Sequence, residues 1–331
     1  MTLLDVILYF VMPLAITALM TYGLIPYFHR KQFGQYIREE GPKAHLKKQG
    51  TPTMGGIAIF IGITAGMAIF MVRVSDPLKS WASPHLVRDA VAIVLTMLAF
   101  GAIGFIDDFN KIAKKENLGL TAKQKLIMQA VFSIGLAFYM MRTGREDLFI
   151  PFLKIGVSFG LLYIPFVMFV EIAMSNAVNL TDGLDGLAAG VTAIVGITFA
   201  VIGWKAGDTI LTVSGTVVAG ALIGFLLFNH YPAKIFMGDT GSMALGGVLS
   251  GIAVVTGKEF LLPLVGLIYV LEALSVIIQV AYFRKTGGKR FFRMAPLHHH
   301  FELGGMKEYN VVYMFCAVTA VLGVIAYFGT I

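Results

Sequence analysis

The sequence predicts an all-α, polytopic membrane protein with about ten transmembrane helices, all in one domain covering residues 1–331. Hydrophobic residues make up 57% and charged residues 14% of the chain, and its mean hydropathy is +0.80, far above that of a soluble domain. The apolar segments are continuous and about 20 residues long, the length that a helix needs to cross a ~30 Å hydrocarbon core. Barrel strands would instead alternate apolar and polar residues. We therefore expect helices, which satisfy their own backbone hydrogen bonds in lipid.

The predicted spans follow one another along the chain with short polar connections. They lie at about residues 3–27, 53–73, 89–106, 122–142, 156–174, 187–204, 209–228, 241–256, 260–283 and 310–329.

The distribution of basic residues predicts the orientation of these spans. Most of the 26 Lys and Arg residues fall in alternate connections, on one side of the predicted membrane. By the positive-inside rule that side is cytoplasmic, so both termini face outward. The net charge of +7 largely reflects this loop bias. It indicates anionic head groups and substrates as partners rather than nucleic acid.

Acidic residues stand at the ends of apolar spans in three distant parts of the chain. They are Asp107 and Asp108 in GFIDDFNK, Asp182 and Asp185 in NLTDGLDG, and Asp239 in FMGDTGS. Carboxylates near bilayer depth are costly, which makes them functional candidates. Carboxylate oxygens suit Mg²⁺, which completes its shell with water and substrate phosphate oxygens. We therefore expect a shared divalent-metal and phosphate site at the cytoplasmic ends of the spans.

The surroundings of these acids predict different roles. Adjacent carboxylates at a helix end point about 100° apart, so Asp107 and Asp108 need not share one function. Both could also be solvated groups that end a helix. Asp239 lies in a glycine-flanked turn, which suits a direct metal ligand; the alternative is an N-cap of the following span.

Polar residues recur every three positions in SNAVNLTDGLDG, at Asn176, Asn179, Asp182 and Asp185. A helix through this stretch would align them on one face. Such a face could hold the hydroxyls and base of a nucleotide, or waters around a metal. Helix capping and turn formation explain two of the four residues more easily than all four.

The first cytoplasmic loop, GPKAHLKKQGTPTMGG, combines cations with a glycine-rich stretch. Backbone N–H groups between Gly50 and Gly56 could approach an anion. A basic loop followed by a turn and a helix start is the alternative. A Walker-type loop is excluded, because no GxxxxGK[ST] pattern occurs. The candidate phosphate contacts of this loop are Lys43, His45, Lys47, Lys48, Thr51 and Thr53.

Three consecutive histidines, His298, His299 and His300, lie in the last cytoplasmic loop. Adjacent residues of a regular helix cannot all face one metal, and no HExxH spacing accompanies them. We expect one or two of them to contact phosphate or substrate, with Arg293 and Lys289 adding charge. A transition-metal site and a solvated loop are the alternatives.

The motifs GTPTMGG, GFIDDFNK, NAVNLTDGLDGLA, GDTGS and APLHHHFE, in this order, resemble the polyprenyl-phosphate N-acetylhexosamine-1-phosphate transferase superfamily. Within it, TPTMGG and PLHHHFE resemble the phospho-N-acetylmuramoyl-pentapeptide transferase family. The resemblance implies a homodimeric, ten-helix enzyme of the bacterial inner membrane with both termini periplasmic and a cytoplasmic active site. Such an enzyme transfers phospho-MurNAc-pentapeptide from UDP-MurNAc-pentapeptide to undecaprenyl phosphate. Its products are lipid I, for peptidoglycan synthesis, and UMP, and it requires Mg²⁺.

The resemblance also implies residue roles. Asp239 matches a direct Mg²⁺ ligand, Asp107 a carboxylate that deprotonates or orients the lipid phosphate, and Asp108 a neighbouring catalytic carboxylate. Matching positions for substrate binding are Lys48, Thr53, Lys111, Lys123, Asn176, Asn179, Asp182, Asp185, Gln279, His298, His299 and His300.

Two other functions compete with this interpretation. A related UDP-GlcNAc:polyprenyl-phosphate transferase would share the carboxylates. A secondary transporter would also carry intramembrane charges, but near the midplane and with repeat symmetry. Direct displacement by the lipid phosphate is favoured because that acceptor is already ionised. A covalent intermediate on Asp239 or Asp108 stays open.

Overall fold

The computed structural model describes residues 1–31, 48–75, 83–114, 119–153 and 155–330. Within these ranges, ten helices are long and apolar enough to cross a membrane. Two short helices, α9 and α11, complete the set. The helices are α1 (Leu3–Arg30), α2 (Gly56–Val74), α3 (Pro84–Lys114), α4 (Ala122–Arg142), α5 (Tyr163–Thr181), α6 (Leu187–Ala206), α7 (Thr209–Asn229), α8 (Gly238–Val255), α9 (Leu262–Val265), α10 (Leu267–Lys285), α11 (Leu297–Glu302) and α12 (Glu308–Gly329).

The prediction of an all-α fold is wrong in one detail, because a β-hairpin follows α4. Its strands, β1 (Asp147–Ile150) and β2 (Ile155–Ser158), pair antiparallel. The predicted span from residue 156 therefore starts as a strand, and α5 begins only at Tyr163. Pro151 directly follows β1, at a position where a missing N–H does not interrupt the ladder.

Two helix boundaries differ from the prediction in ways that matter for the site. Helix α3 continues past residue 106 to Lys114, so Asp107 and Asp108 lie inside a helix rather than at its end. Lys111 and Lys114 occupy its last turns, where positive charge complements the helix dipole. The predicted span 260–283 is divided at Gly266 into α9 and α10.

Helices α7 and α8 form the buried centre of the bundle. They are the most buried of the ten candidate spans, and the most extensive helix contacts are those of α3 with α8, α6 with α7, and α1 with α7. Small residues along α8 allow this close packing.

Glycines set the distance between the ends of α2, α3 and α8. A Cβ at Gly104 of α3 would lie 2.0 Å from the carbonyl oxygen of Asp239. A Cβ at Gly56 of α2 would lie 2.2 Å from the backbone nitrogen of Gly241. Only glycine permits contacts this short, so the three helices converge where the predicted acidic residues lie.

Candidate active site

Three of the predicted carboxylates lie together where α2, α3 and α8 converge. Asp107 and Asp108 of α3 and Asp239 of α8, here called the acidic cluster, each offer an oxygen within 4.8 Å of the others. The predicted turn around Asp239 is in fact the first turn of α8, which begins at Gly238 in the left-handed conformation with φ of 74°. Sequence reasoning therefore identified these residues but not the helix that presents Asp239.

Asp108 caps the start of α8 from a different helix. Its Oδ1 accepts from the backbone N–H of Asp239 at 3.2 Å. Its Oδ2 accepts from the backbone N–H of Thr240 at 2.8 Å and from its hydroxyl at 2.6 Å. The first N–H groups of a helix lack partners within the helix, and a carboxylate is favoured at that end. Asp108 thus holds Asp239 in place.

Two lysines bridge the other two carboxylates. Lys111 Nζ lies 2.6 Å from Asp107 Oδ2 and 3.1 Å from Asp239 Oδ2. Lys125 Nζ lies 2.8 Å from Asp239 Oδ2 and 3.1 Å from Asp107 Oδ1. The backbone N–H of Leu120 also donates to Asp107 Oδ1 at 2.7 Å. The side chain of Asp107 is 1% exposed and that of Asp239 is 19% exposed, so Asp239 is the carboxylate that a ligand can reach.

Lys125 was not among the predicted site residues. A signal was present: Lys125 lies in the first turn of α4, where a positive charge is unfavourable unless an anion is nearby. Lys123, which was predicted, is exposed. Residues two apart on a helix point about 200° apart, so Lys123 faces away from the acidic cluster, and its substrate contact stays a prediction.

Helix α5 contributes one amide to the site. Asn179 Nδ2 donates to Asp239 Oδ1 at 2.9 Å and to Ser242 Oγ at 2.8 Å. Asn176 instead donates to Gln129 Oε1 at 3.0 Å and to the carbonyl of Ile172. The amide of Asn176 is therefore engaged deeper in the bundle.

The predicted polar stripe does not continue as a helix beyond Thr181. Helix α5 ends there, and α6 begins after Gly186, whose φ is 79°. Asp182 and Asp185 consequently lie in the turn between the two helices. The pKa of Asp182 is raised to about 8, mainly by burial and in addition by the negative charges of Asp239, Asp108 and Asp185.

Asp185 ties four segments together at the edge of the site. Its Oδ1 lies 2.7 Å from Lys48 Nζ, and its Oδ2 accepts from the backbone N–H of Ala233 at 2.9 Å. Its own N–H donates to Glu308 Oε1 at 2.8 Å, and Glu308 also pairs with Lys48. No motif in the sequence around Glu308 predicts that it lies at the site.

Two N–H groups of the glycine-rich stretch before α2 are not available to the predicted anion cradle. The N–H groups of Gly55 and Gly56 donate to the carbonyls of Phe236 and Met237, both at 2.9 Å. These groups are therefore occupied by the segment that leads into α8. Thr53 is buried beside Gly238. Of the other predicted contacts, Lys43, His45 and Lys47 lie outside the described residues.

The three histidines of α11 have three different partners. His298 is buried, and its Nδ1 lies 3.0 Å from Glu272 Oε2. His299 Nδ1 lies 2.9 Å from Glu302 Oε2. His300 Nδ1 accepts from the backbone N–H of Arg293 at 3.1 Å. The rings thus do not share a metal position, which argues against the transition-metal alternative.

Gln279 organises the loop before α11. Its Oε1 accepts from the backbone N–H groups of Phe291 at 3.1 Å and Phe292 at 2.9 Å. Its amide oxygen is thereby engaged, and the predicted contact with substrate stays a prediction.

Charge and chemistry of the acidic cluster fit a divalent cation. Three carboxylates face two lysine ammonium groups, which leaves an excess of negative charge when all are ionised. All the offered ligand atoms are hard oxygens, the type that Mg²⁺ prefers. The fold and the site therefore define a polytopic membrane protein with a polar site at one end, suited to metal-bound phosphate groups.

Comparisons with known proteins agree with this class. Residues 90–257 match glycosyl transferase family 4, and residues 48–60 match the phospho-N-acetylmuramoyl-pentapeptide-transferase signature 1. The chain is 47% identical over 303 residues to the phospho-N-acetylmuramoyl-pentapeptide-transferase of Clostridium botulinum (strain Alaska E43 / Type E3), covering 92% of this chain and 90% of the relative. It is 46% identical over 325 residues to the protein of that name from Halalkalibacterium halodurans, covering 98% and 96%.

The chain belongs to the phospho-N-acetylmuramoyl-pentapeptide transferase family. The family 4 match contains the whole acidic cluster, whereas the signature contains Lys48 and Thr53.

Proposed function

We propose that this protein transfers phospho-MurNAc-pentapeptide from UDP-MurNAc-pentapeptide to undecaprenyl phosphate, giving lipid I and UMP for peptidoglycan synthesis. The observation that carries the proposal is a lysine-bridged acidic cluster in a chain whose relatives are named for this transfer. We further propose a homodimer in the bacterial inner membrane, with both termini periplasmic and the acidic cluster at the cytoplasmic face. The bias of basic residues toward that side supports this orientation.

Mg²⁺ is the proposed cofactor. Asp239 would hold it, because it is the accessible carboxylate of the acidic cluster and the other offered oxygens lie within 4.8 Å. When bound, Mg²⁺ would stabilise negative charge on the diphosphate of the donor substrate.

Side chains of the protein compensate the rest of the negative charge of the two substrates. Joining two anions requires compensating positive charge, and phosphoryl transfer depends mainly on positioning and on such compensation. Lys111 and Lys125 supply two ammonium groups beside the acidic cluster. Asp107 would orient the lipid phosphate through these two lysines, whose ammonium groups it holds in place. Asp182, with its raised pKa, retains a proton near neutral pH and can donate a hydrogen bond to a substrate oxygen.

We favour a single displacement. An oxygen of the lipid phosphate forms a bond to the sugar-proximal phosphorus while the bond from that phosphorus to the UMP oxygen breaks. Asp108 is poorly placed as a nucleophile, because both its oxygens accept hydrogen bonds from the first turn of α8. Asp239 Oδ2 is likewise engaged by two lysines.

The nucleotide part of the donor is proposed to bind along the turn after α5. Asn179, Asp185 and Lys48 lie on that side of the site. The histidine helix α11 borders the same turn through His298. A transporter fits less well, because the described charged groups of the site gather at one end of the bundle rather than at its middle.

The test is an assay of purified protein with labelled UDP-MurNAc-pentapeptide and undecaprenyl phosphate. We expect lipid-linked product and UMP in equal amounts, loss of both with a chelator, and recovery on adding Mg²⁺. UDP-GlcNAc, offered in parallel, should give little product. Efficient use of UDP-GlcNAc, or no transfer from either donor, would contradict the proposal.

A further inference from the structure

A buried glutamate on α10 lies outside the acidic cluster and was not predicted from the sequence. Glu272 is fully buried, and His298 of α11 is 1% exposed. Glu272 Oε1 accepts from the backbone N–H of His298 at 3.1 Å, and Oε2 lies 3.0 Å from its Nδ1. Both oxygens of one carboxylate are thus directed to a single histidine. A charged group in a bundle interior is costly unless it is paired in this way.

The other ring nitrogen of His298 faces the turn between α5 and α6. Nε2 is buried and has no hydrogen-bond partner among the residues that the structure describes. It points at Gly183, where a Cβ would lie only 2.2 Å away. Gly183 belongs to the turn that carries Asp182 and Asp185, the border of the proposed nucleotide site. The ring of His299 lies against His298 with a centroid distance of 4.1 Å, which restricts its rotation.

The chemistry of this pair fixes which nitrogen carries the hydrogen. An ionised carboxylate only accepts hydrogen bonds, so the nitrogen that faces Oε2 must be protonated. Nε2 then carries no hydrogen and keeps a lone pair that can accept a hydrogen bond, while Nδ1 is held by Glu272.

We propose that Glu272 is a positioning residue that acts through His298. It keeps the hydrogen on Nδ1 and directs Nε2 into the Asp182–Gly183 turn, where the nucleotide-sugar donor binds. The effect on catalysis rests on the proposed function, whereas the protonation state of His298 does not. Gly183 belongs to the same arrangement, because any side chain there would occupy the position of Nε2.

The protonation pattern can be measured without any activity. Protein labelled with ¹⁵N-histidine in detergent, with the His298 signals assigned from their loss in His298→Gln, reports which ring nitrogen is protonated. We expect Nδ1 to be protonated in the wild type. Glu272→Gln preserves the shape but offers an amide N–H to the ring, so the hydrogen should move to Nε2. A wild-type His298 protonated only on Nε2, or no change in Glu272→Gln, would overturn the proposal.

Kinetics distinguish positioning from a merely structural role. We expect Glu272→Gln to lower kcat/KM for the donor by roughly 10- to 100-fold, by analogy with the loss seen when a group that orients a metal-binding histidine is removed. Glu272→Asp keeps the charge and should recover part of the loss. In a His298→Gln background, Glu272→Gln should lower kcat/KM little further, because the effects of two residues that act as a unit are not additive.

The matched control is Glu259→Gln, another buried glutamate, which lies between α8 and α9 and hydrogen-bonds Tyr163. It should leave kcat/KM within about twofold of wild type. Full activity of Glu272→Gln beside an active wild type would refute this role of Glu272 and leave the proposed function intact. An inactive wild type would instead refute the proposed function, and the nitrogen spectra would still decide the role of Glu272.

Discussion

Replacing Gly104 by alanine tests how strictly the α3–α8 contact sets the acidic cluster. The new Cβ would lie 2.0 Å from the carbonyl oxygen of Asp239 and 2.4 Å from its carbonyl carbon. Real Cβ contacts are essentially never shorter than 3.0 Å, so the two helices must separate by about 1 Å or more. Both obstructing atoms are backbone, so no side chain can rotate away. A misplacement of about 1 Å can cost about 10²-fold in rate, and overpacking a buried contact costs about 1–3 kcal/mol.

We therefore expect Gly104→Ala to lower kcat about 100-fold while the protein still unfolds cooperatively at a reduced temperature. The measurements are labelled-product formation and thermal unfolding in detergent. Gly135→Ala is the matched control, because Gly135 lies inside α4 with nothing within 4 Å of its Cβ position. Alanine there should retain activity and stabilise the helix by about 0.5–1 kcal/mol. Wild-type turnover in Gly104→Ala would refute the idea that this contact positions Asp239.

Three further predictions concern charge and topology. Lys125→Gln removes an ammonium group that bridges two carboxylates of the acidic cluster, so turnover should fall by about 10²-fold. Burial raises the pKa of Glu259 from its ordinary value of 4.5 to about 7. The folded state then retains a proton that the unfolded state releases, and stability falls by about 3 kcal/mol as pH rises through this window. Glu259→Gln should lack this fall, so thermal unfolding should show its advantage over wild type growing from about pH 5 to about pH 8. In a cysteine-free background, cysteines at Gln49 and Gly304 should resist an impermeant thiol reagent in intact cells, whereas one at Leu153 should react.

Each of these measurements has an outcome that contradicts its reasoning. Lys114→Gln, at the exposed end of α3, is the control for Lys125, and equal losses in both variants would indicate a general effect of charge. Parallel pH profiles for wild type and Glu259→Gln would show that this carboxyl group does not control the pH dependence of stability. Labelling of the cysteines at Gln49 and Gly304 from opposite sides would place on opposite faces of the membrane two segments that the proposed site brings together.

Hydropathy was sufficient to predict the membrane helices, because spanning a bilayer depends on the summed composition of about 20 residues. The ends were less predictable, since they depend on local partners. Helix α3 continues through Asp107 and Asp108 because lysines and the first turn of α8 neutralise those carboxylates. Helix α5 stops at Thr181, where the following glycine-containing turn binds Lys48 and Glu308 through Asp185.

Within the site, the sequence revealed residues that are costly in an apolar environment. It could not reveal which groups meet, because pairing across distant helices depends on packing. Lys125 contacts a carboxylate 114 residues away, and Asp108 caps a helix 132 residues further along the chain. The contact of Glu272 with His298 is likewise set by where α10 and α11 cross. The glycines that bring α3 and α8 together resemble ordinary small residues of a membrane helix until the facing backbone is known.

The most direct test of the acidic cluster is the Mg²⁺ dependence of UMP release by wild type and Asp239→Asn, measured side by side. Asp239 is the accessible carboxylate of the acidic cluster, and asparagine keeps its shape while removing its charge. We predict that wild-type activity rises with Mg²⁺ and vanishes with a chelator. Asp239→Asn should be nearly inactive at every Mg²⁺ concentration while still unfolding cooperatively in detergent. Normal turnover of Asp239→Asn at ordinary Mg²⁺ would contradict the assignment of this cluster as the catalytic metal site.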